Sequence, residues 1–184
     1  DGYVVGEMTT NPKEVTLRGS ETLIDSIEKV VAKIDISGMS DSGVVDAELI
    51  CYDSNGNVVD QTKLSNNLGD KGISVNVQML NTKNVGLNFA VSGEPKAGYI
   101  YTGMTVEPES VQICGTEDVL AEIDSINIPA DQIDITNEHG KKEYTIDITP
   151  FLPKEVSLVD ETANNVVVTI LIEQEGTKTI ELPV

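Results

Sequence analysis

A stretch of twenty-six residues occurs twice in this chain. Gly2, Tyr3, Met8, Thr9, Pro12, Val15, Gly19, Glu21 and Ile27 return as Gly98, Tyr99, Met104, Thr105, Pro108, Val111, Gly115, Glu117 and Ile123, at a constant offset of 96 and without a gap. Average residue usage would give roughly one or two such identities. Leu17 with Ile113 and Ser20 with Thr116 are conservative pairs. A repeat of this kind confines the chain to two homologous modules of about ninety residues in tandem. The first takes residues 1–82 and the second 83–184, with the junction anywhere in 83–97.

Both copies follow one order of elements. Tyr3 to Met8 reads as a strand, and Asn11-Pro12 as a turn, because proline fixes its own φ and pushes the preceding residue to extended geometry. Glu14-Val15-Thr16-Leu17-Arg18 alternates polar and apolar, a half-buried strand with Val15 and Leu17 inward. Ser20 then caps a short helix carrying Leu23, Ile24, Ile27 and Val31 at helical spacing. Thr116 does the same for Val119, Leu120 and Ile123. Glu21 and Glu117 stand in the first turn, where the helix dipole favours negative charge.

Further on, Ile34-Asp35-Ile36-Ser37 is matched by Ile133-Asp134-Ile135-Thr136. The offset has grown to 99, so the second copy holds three extra residues around Pro129. Alternating strands follow at Val45–Cys51 and Tyr144–Ile148, and Asp53-Ser54-Asn55-Gly56 reads as a hairpin turn. Ile73–Leu80 and Val166–Ile172 are the late strands. Thr82-Lys83-Asn84-Val85-Gly86-Leu87 is echoed by Thr177-Lys178-Thr179-Ile180-Glu181-Leu182. The absence of a Gly/Ser linker between copies predicts a stiff pair. The chain opens inside a repeat unit and stops where a third would begin, which reads as a piece of a longer protein with more modules.

Charge and composition narrow the function. With 31 acidic and 12 basic residues the formal net charge is −19. That disfavours a nucleic-acid partner, which needs clustered Lys and Arg, and an anionic membrane surface. Self-repulsion that keeps the chain soluble is the simpler reading. With no Trp, the cores must be built from Val, Ile and Leu, which favour strands. Cys51 and Cys114 fall at non-equivalent places and are expected to be free thiols, Cys51 in a core and Cys114 partly exposed opposite Ile113.

Reactive constellations are scarce. The single His139 sits in a polar turn, without a second histidine to support a nucleophile system. Asp53-Ser54-Asn55-Gly56-Asn57 lacks the later acidic ligand and the helix of a calcium loop. Asp35 and Asp134 recur, but an Asp before Ser or Thr commonly bonds nearby amides to shape a turn. Gly19 and Gly115 open helices that could face an anion, yet each stands alone with a Glu two residues on. No catalytic, cofactor-binding or metal-binding residue is assigned, and no cofactor.

The pattern Gly-Tyr, an apolar strand, Pro, Val-x-[Leu/Ile]-x-Gly, a capped helix and Ile-Asp-Ile-[Ser/Thr] resembles the YbbR-like domain family, also called CdaR. The resemblance implies a mainly β fold: two tandem modules, each a small twisted, barrel-like sheet with one short helix. It implies modules similar in fold to the β-rich C-terminal domain of a ribosomal RNA-binding protein. It also implies a non-enzymatic role in a bacterial protein whose modules lie outside the cytoplasmic membrane, held there by an N-terminal helix that this sequence lacks. The expected partner is then another protein, a membrane-bound diadenylate cyclase that makes cyclic di-AMP. A structural spacer and a cell-wall or ligand-binding surface module are the rival expectations.

Overall fold

The computed structural model describes residues 2–183. They form two compact units, Tyr3–Leu80 and Asn81 onward, and both are mainly β. In the first, β1 (Tyr3–Asn11) is followed by β2 (Leu17–Arg18), α1 (Glu21–Asp25), β3 (Ile27–Lys33), β4 (Gly43–Asp53) and β5 (Ser65–Asn66). The long strand β6 (Ile73–Phe89) comes next. Its residues Ile73, Val75 and Val77 lie opposite Ala47, Val45 and Gly43 of β4. They alternate inward with period two, which buries all three. β3 pairs antiparallel with β4 and sets Val30 opposite the fully buried Cys51. Among the described residues, β2 pairs only with β5.

The second unit continues with β7 (Tyr99–Glu107), β8 (Ser110–Gly115), α2 (Glu117–Ala121), β9 (Ser125–Ile128), β10 (Lys142–Asp147), β11 (Ser157–Leu158) and β12 (Asn165–Gln174). β12 lies between β10 and β7. β8 lies between β11 and residues 81–86 of β6, and β9 runs parallel to residues 86–89. Between them Ile113, Ile126, Ile133, Ile148, Val166, Val168 and Ile170 are wholly enclosed. These β-branched side chains fill the core that aromatics would otherwise occupy.

The repeat is visible in the coordinates. β1 and β7, and α1 and α2, have the same bounds at the sequence offset, and both strands end at a cis X-Pro bond, Asn11-Pro12 and Glu107-Pro108. The three extra residues of the second copy, Ala130–Gln132, make one 3-10 turn directly after Pro129. The hairpin at Asp53 is present, closed by a Gly56 amide donating to the Asp53 carbonyl, with Gly56 at φ +80.

Four expectations need correction. The first helix stops at Asp25, so Ile27 and Val31 belong to β3. Ser26 ends it: its hydroxyl donates back to the Leu23 carbonyl at 2.6 Å, and the β-branched run beyond it favours a strand. Ser20 is a true cap, its Oγ accepting from the Leu23 amide, but the Thr116 hydroxyl makes no such bond. The strand expected over 14–18 forms only at Leu17–Arg18, whereas the matching β8 runs its full length with a neighbour on each side. Finally, residues 82–87 lie inside β6, yet their echo at 177–182 forms no strand and leaves Ile180 and Leu182 at 68% and 86% exposure.

The two units also differ in how far they are packed. Val111, Ile113, Leu120, Ile123, Ile133 and Ile135 are buried. Their counterparts Val15, Leu17, Ile24, Ile27, Ile34 and Ile36 are only half-buried.

Candidate functional site

The most polar recurring feature is the turn after Ile-Asp-Ile. In the second unit, Asp134 Oδ1 accepts from the Thr136 amide at 2.9 Å and from its hydroxyl at 2.5 Å. The hydroxyl bond, then the amide bond, lowers the Asp134 pKa. Gly93 is pressed against this turn at φ +82. A Cβ there would stand 2.5 Å from Asp134 Oδ1 and 2.8 Å from the Thr136 nitrogen, so only glycine fits. Ser92 holds the segment in place, its amide donating to the Ile133 carbonyl and its own carbonyl accepting from Ile135. The Tyr144 hydroxyl donates to the Asp134 carbonyl at 2.9 Å.

Around this turn the charged groups are already engaged. The Lys142 ammonium donates to Glu138 and lies 5.2 Å from the Tyr144 ring centroid. The Glu138 bond raises the Lys142 pKa, so the ammonium stays charged and is a poor base or nucleophile. His139 is exposed, as its turn implied, and meets Tyr99 edge-on with ring centroids 6.0 Å apart. This arrangement can fix a loop and offers no nucleophile–base pair.

The same economy holds at the other repeated aspartate. Asp35 Oδ1 accepts from the Ser37 amide at 2.9 Å, and the Ser37 hydroxyl and amide lower its pKa. Asp53 accepts from the Asn55 and Asn57 amides, which closes the hairpin. These residues are therefore turn formers, in line with the local-bonding reading of Asp35 and Asp134. The described residues hold no group of three or more His, Cys, Asp or Glu placed to share a metal ion. An open groove of about 460 Å³ is lined by Thr149, Leu152, Val156, Ser157, Leu158 and Glu161, and brings a single carboxylate to mostly apolar walls.

Both cysteines are free. Cys51 is core, as its face predicted. Cys114 is a correction: it is only 7% exposed, although Ser110 and Gln112, at alternate positions on the same face of β8, are exposed. Burial raises both thiol pKa values, which keeps them protonated and slow to react.

Two residues of consequence escaped sequence reasoning. Gly93 gives no motif. Lys83 reaches from β6 to the end of α2, where its ammonium donates to the carbonyls of Leu120 and Ile123. The recurrence of Thr-Lys at residues 82–83 and 177–178 was the available signal for Lys83.

Comparison with known proteins finds the same two-fold repeat. The family model described as YbbR-like protein matches residues 1–77 and again 85–170. A YbbR-like protein from Streptococcus pneumoniae TIGR4, known from its crystal structure, is 13% identical; 95% of this chain and 88% of that one are covered, with a TM-score of 0.39. The solution structure of SuR18C from Streptococcus thermophilus is 17% identical over 55% of this chain and 93% of that one, with a TM-score of 0.42. No curated protein sequence matches. The two family matches take in most of the chain, which therefore belongs to the YbbR-like family as a tandem pair of its modules.

Proposed function

We propose that these tandem modules are a non-enzymatic part of a membrane-anchored regulator, placed outside the cytoplasmic membrane. There they act by protein–protein contact on a membrane-bound diadenylate cyclase. The observation that carries this reading is the family match over both copies. It is supported by polar groups that are spent on local turns. A β-rich surface with open strand edges suits contact by strand addition. No helix among the described residues is long and apolar enough to cross a membrane, so tethering would rest on a segment other than these. The test is a cell reconstituted with the cyclase, with and without the full-length protein. The expected result is a change in cyclic di-AMP output; equal output would remove the reading.

A further inference from the structure

One asparagine of this chain stands apart from the rest. Asn55 precedes Gly56, and no other asparagine is followed by glycine. Both residues, with Ser54 and Asn57, are exposed at the hairpin that follows β4. The backbone nitrogen after an asparagine is placed to close a five-membered ring on the side-chain carbonyl carbon. A side chain on the following residue crowds that approach. Glycine has none, and a Cβ at Gly56 would meet nothing within 4 Å. The same turn restrains this nitrogen. The Gly56 amide donates to the Asp53 carbonyl at 3.0 Å, so its hydrogen is engaged. Asp53 Oδ1 accepts from the Asn55 and Asn57 amides, both at 2.9 Å, one on each side of Gly56. The Asp53 amide in turn donates to the Asn57 carbonyl at 2.9 Å. One aspartate thus holds the backbone before, at and after the reactive nitrogen. Ring closure needs that nitrogen free, so it waits on local opening of the turn.

We propose that Asn55 is a site of spontaneous deamidation and that Asp53 is the brake on it. Hydroxide or water takes the proton of the Gly56 amide, and the nitrogen attacks Asn55 Cγ. The side-chain nitrogen leaves as ammonia with that proton, and a cyclic imide joins residues 55 and 56. Water then opens the imide at either of its carbonyls. One opening gives aspartate and the other isoaspartate. The sum is amide plus water to acid plus ammonia. Either product is a carboxylate at neutral pH and adds negative charge beside Asp53. Isoaspartate also adds one carbon to the backbone between residues 55 and 56, and so lengthens the loop that Asp53 and Asn57 close. The turn therefore carries a slow, irreversible mark of the chain's age.

Peptide mapping by mass spectrometry tests this on the intact folded chain, aged in mildly alkaline buffer. The mass gain of the amide-to-acid change should appear at residue 55 ahead of every other asparagine. Asp53→Ala should speed it about tenfold, the effect of losing one charge-assisted hydrogen bond that keeps the turn closed. Asp53→Asn removes the charge but keeps an acceptor oxygen at the same reach. Its rate at residue 55, read apart from residue 53 by fragmentation, should stay close to the parent's. Another asparagine changing first overturns the site. An unchanged rate in Asp53→Ala overturns the brake. Equal speeding by Asp53→Ala and Asp53→Asn does so too, since the charge and not the bonds would then restrain the nitrogen. An equal rise at Asn66 and Asn76 in Asp53→Ala has the same force, because it shows the whole unit unfolding in place of one turn.

Discussion

Lys83 donates to the carbonyl oxygens of Leu120 and Ile123, at 3.0 and 2.5 Å, so that one ammonium closes the end of α2. The Leu120 carbonyl also accepts from the Ile123 amide at 3.2 Å, and a cation there meets the negative end of the helix dipole as well. Lys83→Met keeps the length of the side chain but removes the donors. It should lower unfolding free energy by about 1–3 kcal/mol, read from urea denaturation followed by circular dichroism. Lys141, on an exposed turn, is the matched control, and Lys141→Met should move the midpoint very little.

The two helices should respond unequally to truncation. Leu120 is 5% exposed inside the main apolar cluster, so Leu120→Ala should cost about 2–5 kcal/mol. Ile24 is only half-buried at the matching position, and Ile24→Ala should cost clearly less. A loss under about half a kcal/mol at Leu120 would show that α2 does not cover this core.

Gly93→Ala tests the turn at Asp134. The substitution adds a carbon against Asp134 Oδ1 and Thr136 N, and asks alanine to hold φ +82. A loss of more than about 1 kcal/mol is expected. Gly140→Ala meets nothing within 4 Å and should be close to neutral.

Acid should loosen the turns. Asp35, Asp53, Asp60, Asp134, Asp147 and Asp160 all have pKa values lowered by hydrogen bonds from neighbours two or four residues on. A carboxyl whose folded value lies below its unfolded value, about 3.9, contributes fully above the unfolded value. That contribution is lost as pH falls through the folded value. The urea midpoint should therefore drop below about pH 4 when measured in high salt, which screens the opposing relief of net negative charge. Asp134→Asn should show a shallower drop than the parent. An identical pH profile would mean that this turn is not held by the carboxylate.

How much of this was legible in the sequence follows the physics of each signal. The repeat located the paired strands and helices, because identical spacing at Gly2/Gly98 and Pro12/Pro108 transfers one module's geometry to the other. The aspartate turns were readable from Asp-x-Ser and Asp-x-Thr, which act within three residues. Long-range facts were not. Cys114 is buried while Ser110 and Gln112 on the same face are exposed, and nothing in its own flanks reports the difference. Ile27 and Val31 fit a helical spacing, but the stop at Ser26 is decided by a hydroxyl and by the pairing of β3 with β4. The echo at 177–182 predicted a strand from pattern alone, and a strand needs an edge to lie against.

The aspartate turns bear on how this surface can drift over generations. Each such loop is shaped by an acceptor oxygen at a fixed reach from the backbone, and asparagine offers the same reach as aspartate while glutamate is one methylene longer. Relatives could therefore trade acid for amide at these corners and reduce the negative charge of their exterior while keeping the bends. A swap to the longer acid would leave the charge untouched and spoil the corner.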